Sequence, residues 1–154
     1  MRGVLERTQR IERPREEVFA FFEDASNLER LTPPFLRFAI LTKPPVHMAE
    51  GTLIDYRIAL FGVPLRWQTR IEQYTPPERF VDAQLRGPYR AWRHTHELTC
   101  DGPDATWMRD RVDYELPMGP LGTLAHALFV RRTLARIFDF RRDAIAAIFP
   151  PPAL

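Results

Sequence analysis

The sequence contains little cysteine and no long run of apolar residues. Cys100 is the only cysteine among 154 residues, so no disulfide can form within the chain and nothing requires an oxidising compartment. The most apolar window, residues 121–130, is shorter than the roughly 20 residues of a membrane-spanning helix. The first 15 residues lack the apolar core of a signal peptide. We therefore expect a cytoplasmic protein with no integral membrane segment.

The chain also has very little lysine and almost no excess of charge of either sign. Lys43 is the only lysine, and 22 basic residues oppose 20 acidic ones, for a net charge of +2. Nucleic-acid binding usually requires a clustered basic face, so we predict no nucleic-acid partner. The composition, 45% hydrophobic and 27% charged, argues against extended disorder. The length fits a single domain over residues 1–150, with a tail at residues 151–154.

Proline doublets and changes in hydrophobic period divide the chain into elements. A ragged alternation before Pro14 predicts a first strand, and helical spacing predicts a helix from Pro14 followed by a short helix over residues 24–31. The period then changes from about 3.6 to 2. It predicts further strands over residues 35–42, 51–60, 65–72, 79–86, 89–100 and 105–116. Turns at this spacing indicate an antiparallel meander.

A long amphipathic helix is predicted over residues 121–149. Leu124, Leu128, Phe138 and Ile145 recur near multiples of 3.6 residues. Five arginines are assigned to the remaining surface: Arg131, Arg132, Arg136, Arg141 and Arg142. Because its apolar face is the largest in the chain, this helix is expected to pack on the sheet.

Four stretches carry a family resemblance: residues 78–89, 92–96, 108–114 and 117–122. Together with the order of elements, they resemble the SRPBCC superfamily of START-type lipid-transfer domains, pollen-allergen-like proteins and polyketide cyclases or dehydrases. The resemblance implies an α+β helix-grip fold. In this fold a curved antiparallel sheet of about seven strands wraps around a long C-terminal helix, with two short helices after the first strand. A cavity is expected between sheet and helix, but the fold does not specify a reaction.

Strand period predicts which side chains face this cavity. His94 and His96 share a face opposite Arg93 and Thr95, and Asp110 lies on the corresponding face of the last strand. Aromatic residues add apolar surface, and two leucines of the long helix close one side. The predicted ligand-binding set is Tyr56, Trp67, Asp82, Gln84, Trp92, His94, His96, Asp110, Tyr114, Leu124 and Leu128.

The polar members of this set allow two interpretations. In the first, Asp82, Gln84, His94, His96 and Asp110 form a hydrogen-bond network that fixes the sheet, since a buried carboxylate needs partners. In the second, the same groups orient the polar end of an otherwise apolar ligand. The leading hypothesis is binding or transport of a small hydrophobic or amphiphilic molecule, such as a lipid, polyketide or quinone-like compound, without chemistry.

Two rival functions remain open. The first is a cyclase, dehydratase or hydrolase that uses His94 or His96 with Asp110 or Asp82, although no nucleophile motif accompanies them. The second is a protein-interaction module that uses the arginine face of the long helix. His94 and His96 with Asp110 or Asp82 could also hold a metal ion, but this spacing has low specificity. We predict no metal and no cofactor. The sequence specifies neither the ligand nor the oligomeric state.

Overall fold

The computed structural model describes residues 1–117 and 123–153, and within these it contains one seven-stranded antiparallel sheet. The order across the sheet is β1-β7-β6-β5-β4-β3-β2, so the first strand pairs with the last and the others form a meander. The predicted α+β helix-grip architecture is confirmed. The strands are β1 (Arg2–Ile11), β2 (Ala39–Ile40), β3 (Leu53–Leu60), β4 (Val63–Thr75), β5 (Arg79–Arg86), β6 (Ala91–Cys100) and β7 (Thr106–Glu115).

Two short helices follow β1, as predicted. Helix α1 (Arg15–Glu23) begins after Pro14, and Glu16 and Glu17 lie in its first turn, where carboxylates interact favourably with the helix dipole. A 3₁₀ helix (Ala25–Leu31) follows, and the side chain of Asp24 accepts a hydrogen bond from its Ser26 backbone N–H at 3.0 Å. These segments cover one end of the sheet.

The predicted strand over residues 35–42 is largely wrong. Pro34–Leu36 forms a second 3₁₀ helix, and only Ala39–Ile40 joins the sheet as β2. The local cause is Arg37, which has a left-handed φ of 44° and whose N–H bonds to the carbonyl of Pro34. An extended strand cannot pass through that conformation.

Helix α2 (Thr123–Ile148) packs on one face of the sheet. Its buried residues follow one stripe at spacings of three, four and seven residues: Ala127, Leu134, Phe138, Arg141 and Ile145. Leu134 and Phe138 pack with β1 and β7, whereas Ile145 packs with α1, β6 and β7. Within the part of the chain described here, no helix combines the length and apolarity needed to span a bilayer.

Candidate functional site

A partly open cavity of about 180 Å³ lies between α2, the first 3₁₀ helix and the sheet. Its lining is mostly apolar, with contributions from β3 to β6 and from both helical layers. Besides the phenol of Tyr56, the sheet contributes Asp82, His94 and His96 to this wall, and α2 contributes Arg141. The cavity therefore has an apolar interior and one strongly polar region.

Asp110 is the centre of an ionic network behind that polar region. Its Oδ1 accepts hydrogen bonds from His94 Nε2 at 2.9 Å and from Arg141 Nη2 at 3.2 Å. Its Oδ2 accepts another from Arg141 Nε at 2.9 Å. The Asp110 side chain is only 7% exposed, so these donors replace the water that a buried carboxylate would otherwise need.

His96 connects Asp110 to the second carboxylate, Asp82. Its Nε2 lies 2.8 Å from Asp82 Oδ2, and its Nδ1 lies 3.2 Å from Asp110 Oδ1. The Nε2–H donates to Asp82, whereas Nδ1 lies between Asp110 Oδ1 and Arg141 Nη2, the latter at 3.4 Å. The two neighbouring carboxylates favour the cationic form of the imidazole. The ring also stacks on Phe80 with a centroid separation of 4.0 Å, which fixes its plane.

Strand register explains how these side chains meet. His96 is directly opposite Asp110 on β7, and His94 is directly opposite Asp82 on β5. The shortest bonds also use the diagonal neighbours, because His94 reaches Asp110 and His96 reaches Asp82. Direct and diagonal positions on one face of a sheet are within reach of such side chains. Arg141 enters from α2 and completes the network.

The pKa shifts follow from this arrangement. Burial opposes the charge of Asp110, but Arg141 and the hydrogen bonds from His94 and His96 hold its pKa well below 3.8. Burial likewise opposes charge on Asp82, yet the bond from His96 and the nearby positive charges lower its pKa. Burial would lower the pKa of His96, but its bonds to Asp110 and Asp82 raise it. Burial and the neighbouring His96 charge lower the pKa of His94.

The lowered pKa values of Asp82, Asp110 and His94 favour anionic carboxylates and a neutral His94 near pH 7, and the raised pKa of His96 favours its cationic form. Because His94 Nε2 donates to Asp110, its Nδ1 carries the lone pair. That nitrogen lies 3.9 Å from Asp82 Oδ2, too far for a direct hydrogen bond. His94 and Asp82 therefore present two acceptors to the cavity.

An aromatic cluster forms another part of the wall. Trp67 stacks on Tyr56 at 5.7 Å and meets Trp92 edge-on at 5.3 Å. Tyr89 contacts both tryptophans at 5.8 and 4.8 Å. The Trp67 Nε1–H donates to the Thr69 hydroxyl at 3.2 Å. Burial raises the pKa of Tyr56, so its phenol stays neutral near pH 7.

The structure separates the predicted ligand-binding residues into groups. Tyr56, Trp67, Asp82, Trp92, His94 and His96 line the cavity. Asp110 lies behind the histidines, and Tyr114 packs in the core between β1, β7 and α2. Gln84 bonds the Tyr89 backbone instead, and Leu128 is 46% exposed. The side chain of Leu124 lies outside the described residues.

Arg141 is the functional group that the sequence interpretation missed. It was expected on the outer arginine face of the helix, but its side chain is 8% exposed, so that expectation is wrong. Its position at spacings of seven, three and four residues from Leu134, Phe138 and Ile145 was the available signal. The other arginines of that face, Arg131, Arg132, Arg136 and Arg142, are exposed.

Residues 11–140 match the family model described as polyketide cyclase / dehydrase and lipid transport. The chain belongs to this family. The predicted membership of the SRPBCC superfamily is thereby confirmed, and the chain is a member of a group of ligand-binding proteins. No curated protein gives a significant match to the sequence.

Solved structures share the fold at low sequence identity. A protein from Chromobacterium violaceum superposes with a TM-score of 0.73 at 15% identity, covering 97% of this chain and 98% of its own. A START superfamily protein from Mycobacterium smegmatis gives 0.69 at 13%, with 94% and 98% covered. The Zhui aromatase/cyclase from Streptomyces sp. R1128 gives 0.67 at 14%, with 100% of both chains covered. These likenesses establish the architecture alone.

Proposed function

We propose that this protein binds a small amphiphilic molecule whose apolar body fills the cavity and whose polar end docks on Asp82 and His94. The observation that carries the proposal is the pair of acceptors, Asp82 and His94 Nδ1, on the wall of a mostly apolar cavity. Ligand pockets commonly combine apolar lining with a few placed polar groups that fix orientation. Membership of a family that includes lipid-transport proteins supports the same function.

The polar end of the ligand should be a hydrogen-bond donor. Every described polar contact of Asp82 uses Oδ2, and His94 Nδ1 accepts because Nε2 holds the ring proton. A ligand hydroxyl placed between Asp82 and His94 Nδ1 would donate a hydrogen bond to the carboxylate. It could accept none in return, because neither acceptor carries a proton. Alcohols and phenols are therefore favoured over hydrocarbons and over ethers of the same size.

The volume limits the size of the apolar body. An engineered cavity of about 150 Å³ binds benzene, and this one measures about 180 Å³. One aromatic ring with a short substituent therefore fits without rearrangement. Longer lipids, polyketides or quinone-like molecules would extend through the open side of the cavity or require the first 3₁₀ helix to move.

Paired probes test this function. The metal-free protein is titrated with 4-ethylphenol and with ethylbenzene, while Trp67 and Trp92 fluorescence reports occupancy. The phenol should bind about tenfold more tightly, because a hydrogen bond to a charged acceptor contributes about 1.5–3 kcal/mol. Equal affinity for the two probes, or no binding of either, would contradict the proposal.

Variants locate the bound hydroxyl. Asp82→Asn should reduce the preference for the phenol while leaving ethylbenzene affinity nearly unchanged. Asp113→Asn is the matched control, because Asp113 lies on the outer face of β7 and pairs with Arg111 at 3.0 Å. A loss of preference in the Asp113 variant would show that the effect is not local to the cavity.

An enzymatic function is the second candidate, favoured by the neutral His94 at the cavity wall. An imidazole lone pair oriented by a carboxylate can accept a proton from a bound substrate, and Asp110 orients His94 through Nε2. A ligand with an acidic C–H or O–H beside Nδ1 would then exchange that proton. Exchange of deuterium into a bound ketone probe, lost in His94→Gln and kept in His47→Gln, would support this candidate.

The composition also bears on the cellular setting of this function. We infer a cytoplasmic location because Cys100 is the only cysteine, so no disulfide within the chain contributes to stability. Cell fractionation followed by immunoblotting tests this location, and recovery in the periplasmic or membrane fraction would overturn it.

A further inference from the structure

We propose that Asp82, His94 and His96 form a binding site for one divalent transition-metal ion of the Zn²⁺ class at the cavity wall. One ligand atom from each of these three residues lies within 4.8 Å of the others. Two imidazole nitrogens and one carboxylate oxygen are ligands typical of Zn²⁺. The cavity beside them leaves room for a fourth ligand, such as water or an oxygen of the bound molecule. The inference does not depend on the identity of the organic ligand.

The strongest support comes from the groups behind the three ligands. A metal-bound histidine usually donates its other ring N–H to a carboxylate or carbonyl, which fixes the ring. Here a single carboxylate, Asp110, lies next to both rings, 2.9 Å from His94 Nε2 and 3.2 Å from His96 Nδ1, and Arg141 Nη2 lies 3.4 Å from that same Nδ1. The remaining nitrogens, His94 Nδ1 and His96 Nε2, consequently both face Asp82.

Asp110 is itself held in place by Arg141. The guanidinium binds both of its oxygens, at 2.9 and 3.2 Å, and also lies over the Phe22 ring at 5.1 Å. Arg141 thus orients Asp110, and Asp110 orients both imidazole rings, as the groups behind metal-bound histidines do.

The two distances from Asp82 to the histidines bracket the separation that a bound ion requires, and all three ligand atoms lie within 4.8 Å of one another. Zn²⁺ bonds of about 2.1 Å separate tetrahedral ligand atoms by about 3.4 Å. Asp82 Oδ2 lies 2.8 Å from His96 Nε2 and 3.9 Å from His94 Nδ1, values on either side of that separation. A movement of about half an ångström by the Asp82 carboxylate would equalise them. In the absence of metal, the proton on His96 Nε2 occupies the position that the ion would take.

Charge balance indicates the fourth ligand. With both histidines neutral, Asp82, Asp110 and Arg141 sum to −1, so a divalent ion gives the site a charge of +1. An anionic oxygen, such as hydroxide or a phenolate, would neutralise it. Buried charge is unfavourable unless it is compensated, so the site should prefer such a ligand over a neutral one.

Cobalt serves as the probe because Co²⁺ bound by nitrogen and oxygen ligands absorbs visible light, whereas Zn²⁺ does not. The protein is stripped with a chelator and titrated with Co²⁺ and then with Zn²⁺. We expect visible bands that saturate at one Co²⁺ per chain and disappear when Zn²⁺ displaces it. Absence of any band at a large excess of Co²⁺ would overturn the proposal and leave the proposed ligand binding unaffected.

Variants assign the ligands. Asp82→Asn and His96→Gln should abolish the bands, and Asp110→Asn should weaken Co²⁺ binding about 10–100-fold, the effect typical of such supporting groups. His47→Gln is the control, because His47 is exposed and lies outside the cavity. Unchanged bands in the Asp82 variant, or bands lost in the His47 variant, would contradict the assignment.

A measurement on the unmodified protein guards against variants that fail to fold. Proton NMR of the Co²⁺-bound protein should show two exchangeable, strongly shifted imidazole N–H signals. They would arise because both histidines are buried and their outer nitrogens lie 2.9 and 3.2 Å from Asp110 Oδ1. Fewer than two such signals would contradict a site that uses both His94 and His96.

Discussion

The cavity wall has a polar region and an aromatic region, and the two are stabilised in different ways. The ionic network of Asp82, His94, His96, Asp110 and Arg141 relies on directional bonds and an internal balance of charge. The aromatic cluster of Tyr56, Trp67, Tyr89 and Trp92 relies on contact area and on ring geometry that tolerates small shifts. Loss of one charged partner should therefore affect the whole network, whereas loss of one ring should have a local effect.

Arg141→Met is the largest expected perturbation. It leaves Asp110 buried with one cationic partner fewer, and breaking a buried ion pair typically costs about 3–5 kcal/mol. Urea unfolding should show a loss of this size in the free energy of unfolding. Arg142→Met is the control, since Arg142 is 52% exposed and should change stability by less than about 0.5 kcal/mol. Similar losses in both variants would contradict the special role of Arg141.

Trp67→Leu should cause a smaller loss. Trp67 makes three ring contacts, with Tyr56, Tyr89 and Trp92, and each aromatic pair contributes about 0.5–1.5 kcal/mol beyond burial. We expect a loss of about 2 kcal/mol in the free energy of unfolding, with no change in its pH dependence. A change as large as that of Arg141→Met would remove the contrast between the two regions. Trp107→Leu serves as the control, since Trp107 is 44% exposed.

The pH dependence separates the two regions further. Asp110 has a folded-state pKa well below its unfolded value of 3.8, so its contribution is present above that value and is lost as pH falls through the folded pKa. In metal-free protein, the stability difference between the native chain and Asp110→Asn should therefore shrink as pH falls below about 4. The measurement is urea unfolding at a series of pH values. A constant difference would mean that Asp110 does not stabilise the fold through its charge.

Leu128→Ser should have the smallest effect. Leu128 is 46% exposed and does not line the cavity, although the helical pattern favoured it as a ligand contact. The free energy of unfolding, measured by thermal denaturation, should change by less than about 0.5 kcal/mol. The affinity for 4-ethylphenol should stay the same. A loss of probe affinity would restore Leu128 to the binding surface and extend the apolar region along α2.

The sequence predicted the inward faces of the strands well. His94, His96 and Asp110 were assigned to the concave side because alternation in a strand is a local property of the backbone. The strand over residues 35–42 failed because Arg37 adopts a left-handed conformation that nothing in its neighbours signals. Gln84 follows the alternation of β5, but its amide bonds to the Tyr89 backbone. The loop after β5 therefore determines where this side chain points.

The outer face of α2 shows the limit of composition as a guide. Five arginines suggested one solvated surface, yet one of them occupies the buried stripe between Phe138 and Ile145. Charged residues are almost never fully buried unless paired, and the pairing partner here is on β7. Residues 31 positions apart in the chain can be related only through the tertiary fold.

By itself, the sequence determined the order of elements, the antiparallel meander and the side of the sheet on which Asp82, His94, His96 and Asp110 lie. These depend on local backbone period and on short-range turn signals. The tertiary structure alone decided that Arg141 completes the network, that Asp110 stands behind both histidines, and that Asp82 and His94 face open volume. Those features depend on strand register and on how α2 sits on the sheet, which are set by packing between distant segments.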